Sequence, residues 1–221
     1  MNLSVRIIFR LLSKRAKKSM SEKYTYFYKL LFNSRIYNFS QYILGASIFR
    51  KNFIKSLNIQ KNANILDIGC GTSTILNYLN EPNYYGYDIN SDNIEYAKKK
   101  FGNRGVFENK SFSENEINKL PKFNFIFLFG FIHHLDDDQI IKLLKLLKKC
   151  LDKDGCICSI DGVLVEKQNF IAKFLIKRDR GNFVRTETGY TNLAKSVFSS
   201  LQSNIIHWKF FPYTYLTMIM K

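Results

Sequence analysis

The stretch ILDIGCGTS, residues 65–73, combines an acid with two closely spaced glycines at the end of a predicted strand. Asp67 lies within the run of strand-forming residues, and Gly69 and Gly71 follow it directly. Glycines in this position let bare backbone approach a ligand at the carboxyl edge of a sheet. A second acid, Asp88, ends the next predicted strand 21 residues later, a separation at which a carboxylate can accept both hydroxyls of a ribose. Asp67 could hold an ammonium group, directly or through water.

Groups that bind phosphate are missing from the same stretch. The dinucleotide fingerprint requires a third glycine where Thr74 stands, and a P-loop requires Gly-Lys followed by Ser or Thr, which is absent. A ligand that carries an ammonium group and a ribose but no phosphate is S-adenosylmethionine (SAM), so these residues predict SAM as the cofactor. Two structural alternatives stay open: Asp67 could be a buried acid capped by backbone amides, and Asp88 could cap the following helix.

Predicted strands and helices alternate over residues 62–161, which is typical of a parallel sheet covered by helices on both faces. The run FNFIFLF, residues 123–129, is apolar almost throughout, as in a strand that is buried on both faces. Residues 204–211 and 213–221 are two further predicted strands. They should form an antiparallel hairpin, because Pro212 and its neighbours leave only a tight turn between them.

The stretches ILDIGCGTS, YYGYDI (residues 84–89) and FLFGFIHHLDDD (residues 127–138) together resemble the class I SAM-dependent methyltransferases, most closely the bacterial small-molecule and glycan type. The resemblance is strong over residues 62–161 and extends more loosely into RDRGNFVRTETGY, residues 178–190. It implies an α/β fold with a doubly wound, Rossmann-like, seven-stranded and mostly parallel sheet that ends in a C-terminal antiparallel hairpin. It also implies a methyltransferase domain over residues 62–221, preceded by N-terminal helices.

The resemblance assigns cofactor contacts to residues at the carboxyl ends of the first four predicted strands. They are Asp67, Gly69, Cys70 and Gly71 in the glycine loop, Asp88 and Ile89 after the second strand, Ser111 and Phe112 after the third, and Phe129 and Gly130 at the end of the fourth. Cys70 is expected to contribute only its backbone, and Ile89 to pack on the adenine. Ser111 stands about where the family often has an Asp that binds the adenine amino group, so a hydroxyl would replace a carboxylate there.

Two adjacent histidines, His133 and His134, follow the fourth strand, near the expected position of a methyl acceptor. A neutral histidine there could take the acceptor's proton and act as a catalytic base. Alternatively the pair only shapes the loop, as it often does in the family. The acids at residues 136–138 fit the start of a helix better than a metal site, and Ser91 is the expected N-cap of an earlier helix. No metal is expected, because no metal-ligand spacing is present.

The sequence also narrows the class of acceptor. Enzymes that methylate exocyclic amines of bases often carry Asn/Asp-Pro-Pro-Tyr after the fourth strand, where this chain reads Phe129-Gly130-Phe131-Ile132. Cytosine C5 enzymes commonly place a cysteine nucleophile beside a proline, and none of the three prolines adjoins a cysteine. We therefore expect methyl transfer to a small-molecule, sugar or lipid-linked acceptor, preferentially at oxygen. An RNA or protein methyltransferase, and a SAM-binding module without catalysis, remain alternatives.

The insert over residues 162–189 is the expected acceptor-binding segment, because it follows the fifth strand above the carboxyl edge of the sheet. The candidate substrate-binding residues in and beside it are Arg178, Asp179, Arg180, Arg185 and Tyr190. Guanidinium groups suit carboxylates and phosphates because their donors form a planar fork. The alternative is an internal Arg–Asp network that orders the loop.

Residues 1–61 carry most of the chain's net charge of +16, with 13 Lys and Arg against one acid, Glu22. The first predicted helix is amphipathic, and Arg6 and Arg10 interrupt its apolar run before it could span a membrane. We expect this basic helical segment to cover the core or to contact an anionic membrane peripherally. Nucleic acid is less favoured because it leaves the apolar face without a role. Four cysteines in no regular framework, and no pattern of a cleavable signal, favour a cytoplasmic protein.

Overall fold

The computed structural model describes residues 46–177, 182–208 and 213–221. Its strands are β1 Asn64–Ile68, β2 Asn83–Tyr87, β3 Val106–Glu108, β4 Phe123–Phe129, β5 Leu151–Gly162, β6 Leu201–Trp208 and β7 Tyr213–Met220. Its α-helices are α1 Ala46–Ser56, α2 Ser91–Phe101, α3 Glu114–Ile117, α4 Asp137–Lys148, α5 Phe170–Lys177 and α6 Glu187–Lys195. The amphipathic helix expected at the N-terminus, within residues 1–45, lies outside the described residues.

The strands form one seven-stranded sheet in the order β3-β2-β1-β4-β5-β7-β6. Strands β1 to β5 are parallel, and β7 is antiparallel to both of its neighbours, β5 and β6. The predicted doubly wound sheet with a C-terminal antiparallel hairpin is therefore confirmed. Helical connections between parallel strands place the carboxyl ends of β1 to β5 at one edge of the sheet.

The sheet is buried on both faces, as its apolar strands predict. Ile126, Phe127 and Leu128 in β4 have no exposed surface. Along β5 the side chains alternate: Cys158 packs in the cluster with α1 and α2, and Ile157 packs in the cluster with α4 and α6. Burying such a side chain contributes about 1.5–3 kcal/mol relative to leaving it exposed. This two-sided core holds the strand ends in fixed positions.

Side-chain caps define where two helices begin. Asn90, not the predicted Ser91, caps α2, because its side-chain oxygen accepts hydrogen bonds from the backbone N–H groups of the first turn. Asp136 and Gln139 form a reciprocal capping box at the start of α4, with hydrogen bonds of 2.8 and 3.0 Å. The prediction that the acids of residues 136–138 begin a helix is therefore confirmed.

Helix α1, the described end of the basic N-terminal segment, packs on the sheet near the carboxyl ends of its parallel strands. The Phe49 ring stacks on Tyr215 of β7 with 4.8 Å between centroids. The Phe53 ring meets Phe129, the last residue of β4, edge to face at 6.0 Å. This contact places the polar side of α1 above the loops that follow β1 and β4. In the described ranges, no helix has the length and apolarity that crossing a membrane would require.

Candidate functional site

The chain leaves the neighbouring strands β1 and β4 toward opposite edges of the sheet. Crevices at such a switch point, outside the carboxyl ends of the strands, are where open α/β sheets bind ligands. A cleft of about 340 Å³ lies there, within the range of roughly 300–1,000 Å³ that small-molecule sites occupy. Its walls are α1, the loop after β1, the short 3-10 helix Thr74–Tyr78 and Phe129.

The glycine loop after β1 needs glycine at both predicted positions. Gly69 and Gly71 have φ angles of +68° and +54°, in the left-handed region. A Cβ on Gly69 would lie 2.4 Å from the ring of Phe131, whereas a Cβ on Gly71 would meet nothing within 4 Å. The backbone N–H groups of Gly69 and Cys70 both donate to the carbonyl of Tyr87, which anchors the loop to β2. Gly71 thus leaves bare backbone open to the cleft.

Cys70 contributes to this loop through its backbone. Burial raises the pKa of the Cys70 thiol well above its ordinary value, and the neighbouring Asp67 raises it further. The thiol therefore stays protonated at neutral pH and is a poor nucleophile. This agrees with the backbone role expected for it.

Asp88 ties the end of β2 to the glycine loop. Its Oδ2 accepts a 2.8 Å hydrogen bond from the Gly71 N–H, and its Oδ1 accepts one of 2.8 Å from the Asn90 N–H. Each carboxylate oxygen has a second acceptor position, so these bonds leave capacity for two hydroxyl donors. The N-cap of α2 is Asn90. The structural alternative, in which Asp88 caps this helix, is therefore not needed to explain the position of Asp88.

The residues assigned to the adenine follow β2 and β3 at the same edge. Ile89, directly after Asp88, is 78% exposed, so its apolar side chain is open to contact from solvent. Phe112 packs edge to face on Tyr87 with 5.1 Å between ring centroids, and Ser111 beside it is exposed. None of these three residues lines the cleft itself.

Asp67 and Arg50 bring opposite charges to the cleft. Asp67 is 3% exposed and accepts a 2.6 Å hydrogen bond from the Tyr84 hydroxyl. Burial raises the pKa of Asp67 to about 7, against the Tyr84 hydrogen bond and the positive charge of Arg50, which lower it. Arg50 projects from α1, with its Nη2 3.7 Å from the place of a Cβ on Gly130. Sequence reasoning missed Arg50, because one arginine among 13 basic residues carries no distinguishing signal.

The two histidines have different surroundings. His133 is buried, and its Nδ1 lies 2.7 Å from Oδ1 of Asp161, which also accepts from the His133 backbone N–H at 3.2 Å. Burial raises the pKa of Asp161, and the bonds from His133 lower it. His134 is exposed, with its ring 4.2 Å from that of His133. The Cε1 of His133 is 3.9 Å from the place of a Cβ on Gly130, so the ring lies close to the end of β4.

Asp161 was not predicted as a site residue. It ends the strand GCICSID, where a lone acid in an apolar run was the available signal. It is 2% exposed, and its Oδ2 has no hydrogen-bond partner among the described residues. A buried acid of this kind is stabilised mainly by the group it pairs with, here His133.

The structure does not bring the described insert residues to the cleft. Arg185 donates to Asp137 through Nε and Nη2, and to the carbonyls of Leu135 and Phe183. This is the internal network that was the alternative to acceptor binding. Tyr190 is buried in the core and donates to the Gly162 carbonyl at 3.3 Å. The other three candidates, residues 178–180, lie outside the described residues.

Comparison with known proteins agrees with this geometry. Residues 59–207 match the model of a family described as "Methyltransferase domain". The chain therefore belongs to this family, and it is a class I SAM-dependent methyltransferase. It is 32% identical over 85 residues to a putative methyltransferase, 235L, of Invertebrate iridescent virus 6, over 35% of this chain and 32% of the viral protein.

Two solved structures share the fold. One is a TehB-like SAM-dependent methyltransferase from Corynebacterium glutamicum, at 19% identity and a TM-score of 0.59, over 85% of this chain and 97% of that one. The other is the mitomycin 7-O-methyltransferase MmcR, at 16% identity and a TM-score of 0.55, over 72% of this chain and 49% of that one.

The site's residues fit SAM. The open backbone at Gly71 lies between an acid with two remaining acceptor positions, Asp88, and a second acid, Asp67, in the cleft. Asp67 complements an ammonium group, and Arg50 beside it complements a carboxylate, so the cleft matches the two charges of a methionine end. The exposed Ile89 provides an apolar surface for an adenine.

Proposed function

We propose that this chain transfers a methyl group to an oxygen atom of a small-molecule, sugar or lipid-linked acceptor. The observation that carries the proposal is the buried His133–Asp161 pair at the end of β4, next to the cleft. SAM, when bound, supplies an electrophilic methyl group on a sulfonium. The protein must then hold the acceptor in line with that group and remove its proton.

In this proposal His133 is the base and Asp161 is its positioning residue. With Asp161 ionised, the Nδ1 of neutral His133 carries a proton and donates it in the 2.7 Å hydrogen bond. The Nε2 lone pair is then the acceptor for the proton of a substrate hydroxyl. Asp161 also stabilises the imidazolium that forms, because its carboxylate is buried and close to the ring.

Three residues hold the cofactor in the orientation that this reaction needs. Asp88 accepts from the two ribose hydroxyls while it keeps the glycine loop in place through Gly71. In the cleft that both side chains line, Asp67 would bind the ammonium group and Arg50 the carboxylate of the methionine end. With the cofactor bound, these residues would hold its methionine end near the end of β4, where His133 lies.

Two lines of evidence support oxygen as the acceptor atom. The end of β4 reads Phe129-Gly130-Phe131-Ile132, without the proline-containing motif typical of enzymes that methylate exocyclic amines. A protein of the same fold, MmcR, is described as a 7-O-methyltransferase of the small molecule mitomycin. The likeness supports a small molecule as the acceptor class.

A labelled-methyl assay tests the proposal. Purified protein and SAM labelled on the methyl group are incubated with fractionated cell extract, and the label is followed into lipid, glycan, small-molecule, RNA and protein fractions. We expect base-stable label in a lipid, glycan or small-molecule fraction, lost in His133→Ala. Label that enters RNA or protein instead would overturn the acceptor class, and label that enters no fraction would contradict the transfer activity.

A further inference from the structure

A second buried polar side chain, Tyr84, contacts Asp67 from the core and does not line the cleft. Asp67 in β1 is paired with Gly86 in β2, and Tyr84 precedes that glycine by two residues on the same face. A Cβ on Gly86 would lie 2.9 Å from Cε1 of Tyr84, and a Cβ on Gly105 would lie 2.8 Å from its Cδ1. Two glycines thus leave the space through which the Tyr84 ring reaches Asp67.

The hydrogen bond between these two side chains is short and buried. The Tyr84 hydroxyl donates to Oδ2 of Asp67 at 2.6 Å, and the two residues are 2% and 3% exposed. A hydrogen bond to an ionised acceptor at this distance is among the stronger types, and low local polarity strengthens it further. Burial raises the pKa of Tyr84 well above its ordinary value, so its hydroxyl remains a donor throughout the neutral range.

We propose that Tyr84 is a positioning residue for cofactor binding, which keeps the buried Asp67 carboxylate ionised and oriented so that it can bind the ammonium group of the cofactor. This inference rests on the role proposed above for Asp67. Tyr84 itself touches no ligand, because Asp67 lines the cleft and Tyr84 does not.

The groups around Asp67 explain why its ionised form needs the hydrogen bond from Tyr84. Burial raises the pKa of Asp67 to about 7, the Tyr84 hydrogen bond and Arg50 on α1 lower it, and Asp88 raises it. The Cys70 thiol, which also faces Asp67, stays neutral because its own pKa is raised. The ligand's ammonium binds the ionised form, so affinity should rise as the pH increases through 7 and level off only about one pH unit above the pKa of Asp67. Loss of the Tyr84 donor should move this rise to higher pH.

The test is the dissociation constant of S-adenosylhomocysteine, measured by calorimetry between pH 5.5 and 7.5 for the wild type and two variants. The upper limit avoids the ligand's own amino group, which titrates at about 7.7–8.0. Tyr84→Phe removes the hydroxyl that donates to Asp67. The control, Tyr85→Phe, removes a tyrosine hydroxyl on the opposite face of β2, where the Tyr85 ring packs on Phe123. We expect Tyr84→Phe to shift the profile upward by about one pH unit, which weakens binding ~5-fold at pH 7 and ~10-fold at pH 5.5. Tyr85→Phe should follow the wild type.

A double-mutant cycle distinguishes an effect of Tyr84→Phe that acts through Asp67 from a general effect on the fold. Asp67→Asn should flatten the pH profile, and adding Tyr84→Phe to it should weaken binding less than ~2-fold further. A Tyr84→Phe protein that binds with the wild-type profile, or equal effects of Tyr84→Phe with and without the Asp67 carboxylate, would overturn the inference. Normal binding by the wild type without any methyl transfer would instead contradict only the proposed function.

Discussion

The Gly71 N–H donates a 2.8 Å hydrogen bond to Oδ2 of Asp88, so the acid assigned to the ribose also holds the glycine loop. The loop would otherwise have to maintain two left-handed residues, Gly69 and Gly71, without side-chain support. We therefore expect cofactor binding and the conformation of the glycine loop to depend on the same carboxylate.

Replacing Asp88 should affect cofactor binding strongly. Asp88→Ala removes two charge-assisted hydrogen bonds to the ribose and the anchor of Gly71, and we expect a loss of about 2–4 kcal/mol in the binding free energy of SAM. Asp88→Asn keeps an acceptor for the Gly71 N–H and should lose less. Calorimetry with both variants measures the difference, and Asp92→Ala, in the first turn of α2, is the control. Unchanged affinity in Asp88→Ala would refute the assignment.

Substitutions of the two histidines should have different effects on turnover. His133→Ala should lower turnover ~10²–10⁴-fold while keeping SAM affinity, because it removes the base without changing the cofactor contacts. His134→Ala should stay within a few-fold of the wild type, since His134 is exposed. Asp161→Asn should cause part of the His133→Ala loss and shift the acidic limb of the pH–rate profile. Turnover near the wild-type level in His133→Ala would mean that His133 is not a base and that catalysis comes from holding the reactants in line.

Arg50 should bind the carboxylate of the cofactor. Arg50→Ala should weaken S-adenosylhomocysteine binding by about 1.5–3 kcal/mol, because a charge-assisted hydrogen bond is lost. Binding of 5′-methylthioadenosine, which lacks the amino-acid end, should hardly change. Lys55→Ala, five residues further along α1 and outside the lining of the cleft, is the matched control and should leave both affinities unchanged. Equal losses for both ligands would show that Arg50 acts through the packing of α1.

The two loop glycines should differ in stability when they are substituted. Gly71→Ala should lower the free energy of unfolding by about 1–2 kcal/mol, the cost of a left-handed residue with a Cβ, because nothing blocks that Cβ. Gly69→Ala should cost more, since its Cβ would also lie 2.4 Å from the Phe131 ring. Urea unfolding of both variants measures this order. Equal costs would mean that Phe131 moves freely away.

The basic N-terminal segment should bind anionic membranes. Its charge and the apolar face of its first predicted helix suit an anionic bilayer, to which each nearby basic residue contributes about 1 kcal/mol. The full-length protein should therefore sediment with vesicles that contain anionic lipid, and a protein lacking residues 1–20 should do so much less. Neutral vesicles should bind weakly, and salt should release the protein. Equal binding by both proteins would support the alternative, in which the segment only covers the core.

The local features of the site could be read from the sequence because each depends on neighbouring residues. The strand that leads into Gly69 and Gly71, the acid that ends β2 and the capping acids before α4 all follow from spacing along the chain. A position that must adopt a positive φ favours glycine, and a strand buried on both faces favours apolar residues, so both can be recognised from residue type. These features predicted the sheet, the cofactor and the two glycines that adopt a positive φ after β1.

The pairings between distant parts of the chain were decided only by the tertiary structure. Asp161 meets His133 across 28 residues, Tyr84 meets Asp67 from the adjacent strand, and Arg50 enters the cleft from α1. Arg185, an obvious candidate in sequence, is instead used to bind Asp137. The physical reason is that a charged or hydroxyl side chain is equally suited to solvent, to a ligand or to an internal partner. Which one it meets depends on the register and packing of the whole sheet.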